Sequence, residues 1–200
     1  MGIYSLLGLS TGAIVGIVVG VVVILLVIII VAWYIATHNK LVRMKNSFEE
    51  AFSTIDIYLK KRFDLIPNIV ETVKGYAKHE SETYQKITDA RARLGSAHTP
   101  DEKIAADRQM TAAVRSLFAV AENYPQLKAN TNFMDLQSQL KSMEGEIAQS
   151  RKYYNATVRE FNIAIQSFPT SIVAKKMKLE KASLYEVDSP EERQNVKVSF

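Results

Sequence analysis

The chain has 200 residues, a formal charge of +4 and no cysteine. That is enough for one ordinary domain plus an appendage, and too weakly basic to point to nucleic acid. Without cysteine there are no disulfides, thiolate metal sites or cysteine nucleophiles. The charge is unevenly spread, since residues 1–37 contain no Lys, Arg, Asp or Glu.

The first predicted element is a membrane span. GAIVGIVVGVVVILLVIIIVAWYIA, Gly12 to Ala36, is 25 apolar residues, more than the ~20 that cross a hydrocarbon core as helix. A signal peptide would want a basic start, a core of ~7–15 apolar residues and a small-residue cleavage site. This run is too long, and no charged side chain precedes it. Tyr4 lies near one end and Trp33 and Tyr34 at the other, where amphipathic rings sit at membrane interfaces. Lys40, Arg43 and Lys45 follow the span directly. By the positive-inside rule they place the C-terminal part in the cytoplasm and the short N-terminus outside.

Within the span, Gly8, Gly12, Gly16 and Gly20 form three overlapping GxxxG units. Small residues four apart let a second helix approach closely in lipid, so this column predicts a packing face.

Beyond Asn39 the apolar residues recur at steps of three and four. Leu41, Met44, Phe48, Ala51 and Ile55 follow this spacing, then Ile66, Ile69, Val73, Tyr76, Ile87, Ala90 and Leu94. This is a helical stripe, and its phase passes Pro67 without a slip. A proline inside a helix loses a backbone hydrogen bond and bends the helix. The spacing therefore predicts one helix kinked at Pro67; the alternative is a new helix capped by Asp64. The helix is expected to end near Leu94 and Gly95, the glycine supplying a left-handed cap.

Thr99-Pro100-Asp101-Glu102 reads as an N-cap threonine, a proline in the first turn and a glutamate that completes a capping box. The helix it opens stops before Pro125, and PQLKANTN reads as a loop. A third helix carries Phe133, Leu136, Leu140, Met143, Ile147, Tyr154, Val158, Phe161 and Ile165, ending at Phe168-Pro169. Residues 171–184 read as a short helix. The boundaries expected are 1–37 for the membrane segment, 38–184 for the helical domain and 185–200 for an irregular tail. No alternating strand pattern interrupts this series, so the domain is expected to be all-α.

DLIPN at 64–68, ETVKGYAKHE at 71–80, AVAENYPQLKAN at 119–130, FMDLQ at 133–137, YYNATVREFN at 153–162 and FP at 168–169 resemble the LemA family of bacterial membrane proteins. The resemblance covers nearly all of residues 38–200. It implies one N-terminal membrane helix, with the N-terminus suggested to lie outside, and an antiparallel bundle of long helices. It implies no known reaction. One branch of the family is associated with forming magnetosome membranes, which points to a membrane-organising role.

The residues themselves offer no catalytic constellation. His79-Glu80 begins an HExxH pattern, but Thr83 stands where the second histidine belongs. His38, His79 and His98 are far apart in sequence, and no GxxxxGK[ST] phosphate loop is present. No enzyme activity, cofactor or metal is expected. Asn68, Asn155 and Asn162 are read as register-setting hydrogen bonders or as a polar groove for a partner. Lys60-Lys61-Arg62 is read as a solvated helix face or as a contact for anionic lipid or an acidic partner. Lys175, Lys176, Lys178 and Lys181 pose the same choice.

A continuous helix from Asn39 to Leu94 would be ~84 Å long, against ~55 Å for the third helix, and would leave an amphipathic stalk bare. With the glycine column, this predicts a self-associating membrane protein that organises membrane. The rival reading is an accessory or adaptor subunit of an envelope protease or transport complex. The partners expected are the lipid bilayer, further copies of the chain and an unidentified protein, with no nucleic acid.

Overall fold

The computed structural model describes residues 11–185. They form six helices: α1 (Thr11–Lys74), α2 (Ser81–Ser96), α3 (Pro100–Glu122), α4 (Pro125–Lys128), α5 (Thr131–Gln166) and α6 (Thr170–Lys176). No strand occurs among the described residues, and the all-α expectation stands.

These residues divide into two compact units. Residues 46–160 with 182–185 make one, and 11–45 with 161–181 make the other. The first is a four-helix bundle. Phe52 meets Tyr154 edge-on at 5.6 Å, Arg62 meets Glu144, and the Tyr76 hydroxyl accepts from Asn130. Each advance along α1 is thus matched by a retreat along α5, so the two run antiparallel. Lys103 pairs with Asp56 and Asp107 with Arg62, which sets α3 parallel to α1. α2 returns between them, joined to α3 by the short turn at Ala97–Thr99 and tied at its other end by Tyr124 to Glu80. The stripes predicted from spacing meet in one core: Ile55, Leu59, Ile66 and Val73 of α1, Ile87 of α2, Met110 and Leu117 of α3, and Leu140, Ile147 and Val158 of α5. Each fully buried aliphatic side chain contributes about 1.5–3 kcal/mol.

Local chemistry explains several boundaries. The Thr99 hydroxyl accepts from the Glu102 N–H, while the Glu102 carboxylate accepts from the backbone N–H of His98 and of Thr99. This is the expected capping box, with Pro100 in the first turn where its missing N–H matters least. α5 begins where Asn130 accepts from the Phe133 N–H. Pro67 lies inside α1, so the helix passes through it rather than restarting at Asp64.

Several expectations are corrected. The helix through Pro67 stops at Lys74, and residues 75–80 separate it from α2. Gly75 follows a terminal lysine, as at many helix ends. Because α2 folds back into the bundle, its apolar face is covered and no bare stalk of ~84 Å exists. Gly95 lies within the last turn of α2 and caps nothing; it lets the Phe63 ring approach to 3.4 Å from where a Cβ would stand. The loop PQLKANTN contains the single turn α4, and the last helix covers only Thr170–Lys176. Tyr185, assigned to the tail, has no regular secondary structure but is 2% exposed.

Candidate functional site

Two features stand out from this framework: the uncovered apolar run of α1 and a sealed cluster of charge inside the bundle.

From Val15 to Ile30 the large side chains of α1 are 49–62% exposed, the range of a lone helix. Packing begins where the run ends, with Thr37 8% and Leu41 0% exposed. Gly12, Gly16 and Gly20 lie on this helix, and a Cβ added to any of them would meet nothing within 4 Å. Gly8 and Tyr4 lie outside the described residues. Trp33 is exposed, while the Tyr34 ring is half-buried with Lys176 Nζ 5.2 Å from its centroid. Lys40, Arg43 and Lys45 are exposed on α1 directly after the run. Among the described residues, this is the helix that is long and apolar enough to cross a membrane.

The charge cluster centres on Asp107 of α3, which is fully buried. Arg62 of α1 and Arg151 of α5 each form an ion pair with its carboxylate, and the Tyr185 hydroxyl donates to it. Arg62 is also fully buried; it donates to Glu144 at 2.6 Å and to Thr111 at 3.2 Å. Burial works against the charge on this guanidinium, but Asp107 and Glu144 outweigh it and hold Arg62 above its ordinary range. Burial, reinforced by the charge of Asp107, drives the Tyr185 phenol far above its usual range, so it remains a donor. Arg151 stacks 4.5 Å over the Tyr185 ring.

The backbone of Tyr185 is held as firmly as its side chain. The Asn155 amide oxygen accepts from its N–H at 2.7 Å and the amide nitrogen donates to its carbonyl at 2.8 Å. One residue earlier on α5, the Tyr154 hydroxyl donates to the Ser183 carbonyl at 2.9 Å. Asn155, predicted to set register or to line a partner groove, is thus a clamp on this chain's own segment. Asn68 is exposed and Asn162 half-buried. The basic trio at 60–62 is split: Lys60 pairs with Asp64 at the surface, Lys61 stands over the Tyr58 ring, and Arg62 enters the core.

Chemically the cluster is saturated. The Asp107 carboxylate accepts from two guanidinium groups and a phenol and reaches no solvent, so no substrate can approach it as a base. His79 and His98 are exposed before and after α2 and His38 is half-buried on α1, and among the described residues no group of three His, Asp or Glu side chains could hold a metal ion. Beside the cluster, α3 and α5 leave an open groove of about 720 Å³ lined by Val114, Phe118, Met134 and Leu140, with Arg115 and Glu144 at its polar margin.

The chain is similar to several known proteins. It is 28% identical over 159 residues to "Protein LemA" of Metamycoplasma hominis, covering 79% of this chain and 73% of that protein. It is 22% identical over 163 residues to "Magnetosome protein MamQ" of Magnetospirillum gryphiswaldense, covering 68% of this chain and 60% of the relative. With "Magnetosome protein MamQ 2" of Paramagnetospirillum magneticum it shares 25% identity over 171 residues, 70% of this chain and 63% of that protein. The LemA family model matches residues 51–200, a span that holds every partner of the Asp107 cluster and the Asn155 clamp. A membrane-associated helical protein built on this bundle, the chain belongs to the LemA family.

Proposed function

We propose that the protein is a non-enzymatic, membrane-anchored scaffold whose copies associate through the membrane helix and organise the membrane around them. The apolar run of α1 crosses the bacterial inner membrane once, with the N-terminus outside and the bundle in the cytoplasm. The observation that carries this reading is the run itself. About sixteen successive residues have no cover from the rest of the described chain, and only lipid or another helix can shield them from water. The open faces of Gly12, Gly16 and Gly20 support helix pairing there. The magnetosome names of two relatives fit a protein of membrane architecture.

The groove between α3 and α5 favours a second reading, an adaptor that binds one protein partner, since exposed apolar concavities with a polar margin take partner side chains. Native mass of the full chain in mild detergent separates the two. A large homo-oligomer is expected for the scaffold; a monomer would favour the adaptor.

A further inference from the structure

The unit formed by residues 11–45 and 161–181 has a composition unlike the rest of the chain. Outside the apolar run it holds seven Lys and Arg against the single acid Glu180, a charge of +6. The whole chain is only +4, so everything else together is −2. Lys40, Arg43, Lys175, Lys178 and Lys181 are exposed and have no counter-ion among the described residues.

The same unit exposes large apolar side chains where a water-soluble surface would not gather them. Phe168, at the turn between α5 and α6, is 83% exposed, and Ile172 on α6 is 57% exposed. On their other faces these elements are buried through Phe161, Ile165, Val173 and Ala174, which fixes the outward direction of Phe168 and Ile172. Height is set by Lys176, whose ammonium lies 5.2 Å over the ring of Tyr34, the aromatic residue near the end of the apolar run. A short amphipathic element with apolar tips and lysines at an aromatic belt has the chemistry of a helix lying in the membrane interface. Its lysine stems can follow the apolar layer while their ammonium groups reach phosphate.

We propose that the α5–α6 turn and α6 form a second membrane contact, in which Phe168 and Ile172 enter the interface and Lys175, Lys176, Lys178 and Lys181 bind the headgroups of anionic phospholipids. The inference rests on the reading that the apolar run of α1 lies in the bilayer. Each basic residue near an anionic surface strengthens association about fivefold, so the lysines hold the foot on an anionic leaflet and release it on a neutral one.

The chain has no cysteine, so single probe sites can be added cleanly. Full-length Phe168→Cys and Leu25→Cys proteins, each carrying an environment-sensitive fluorophore, are reconstituted into vesicles of phosphatidylcholine alone or with phosphatidylglycerol. Quenching is read from lipids bearing a nitroxide near the headgroup or deep in the acyl chain. The 168 probe is expected to be quenched by the shallow nitroxide, more than twofold more strongly with phosphatidylglycerol. That excess should fall with salt and vanish when Lys175, Lys176, Lys178 and Lys181 are changed to Gln. Thermal unfolding checks that the Gln variant keeps its fold. A 168 probe left in water while the 25 probe is quenched deeply overturns the second contact and leaves the membrane reading standing. Equal quenching on both lipids, unmoved by salt or the Gln changes, overturns the recognition of anionic headgroups. If the 25 probe also escapes quenching, the membrane reading itself fails, and this inference with it.

Discussion

Asp107 shows how one buried side chain can hold three helices and a terminal segment. Two ion pairs and a phenol converge on it in a site closed to water. A buried ion pair gains little over a well-packed apolar core, but removing one member strands its partners without solvation. Asp107→Ala is therefore expected to lower stability by about 3–5 kcal/mol, measured by chemical unfolding of the full chain in detergent. Tyr185→Phe keeps the packing and loses one hydrogen bond to a charged group, a cost of about 1.5–3 kcal/mol. It should also quicken proteolysis near residues 183–185, because Asn155 and Tyr154 then hold that segment alone. Wild-type resistance in the Phe variant would show that the phenol does not pin it. Glu102 carries a pH signature of the opposite origin. Hydrogen bonds from the backbone N–H groups of His98 and Thr99 hold its carboxyl below the ordinary range. A depressed carboxyl stabilises the fold above its unfolded value and loses that contribution as pH falls through the folded one. The Tm difference between wild type and Glu102→Ala should accordingly be larger at neutral pH than in acid.

At the scale of single helices, α1 joins two different demands. From Val15 to Ile30 it has no cover from the other described residues, and its last part packs into the bundle. Pro67 lies in the packed part, with Ile66 and Ile69 buried beside it. Pro67→Ala restores a backbone donor without disturbing these contacts, so helicity by circular dichroism should be kept and Tm should rise. Unfolding of the variant would show that the proline is required for the local path of the chain. In the uncovered part, glycines at steps of four drift ~40° per step around a helix of 3.6 residues per turn. Such a drifting groove suits the right-handed crossing of GxxxG pairs, with Val and Ile ridges beside it. Gly12→Leu combined with Gly16→Leu would fill open space within the chain, so the bundle should stay folded. Analytical ultracentrifugation in detergent should then show a smaller particle than wild type; an unchanged particle would mean the glycines are merely tolerated.

For the molecule as a whole, the distribution of charge bears on orientation. No basic side chain precedes the apolar run, whereas Lys40, Arg43 and Lys45 follow it at once. With the bundle in the cytoplasm, a cysteine at Ser199 should be shielded from an impermeant thiol reagent in intact cells, and one at Ser5 should be labelled. The reverse pattern would place the bundle outside. It would also take the basic foot of α6 away from the leaflet whose anionic lipids are facing the cytoplasm.

Much of this protein is legible one segment at a time. The apolar run, the all-helical character, the capping box at Thr99 and the passage of α1 through Pro67 all follow from chemistry within a few residues: side-chain transfer out of water, helical period, and a hydroxyl three positions from a carboxylate. The chain reversal at 75–80 was hidden because a 3.6-residue period reads the same along either direction of travel, so Ile87 and Ala90 continued the stripe of Val73 in sequence while α2 turned back in space. Only the signature of Gly75 after Lys74 marked the stop. The fates of Arg62 and Tyr185 were not local at all. Lys60, Lys61 and Arg62 are one run of cations in sequence, and what takes Arg62 into the core is an aspartate 45 positions away on α3. Tyr185 reaches that carboxylate from 78 positions on. Burial of a charge depends on which partners the fold brings to it, and that is decided when the helices pack.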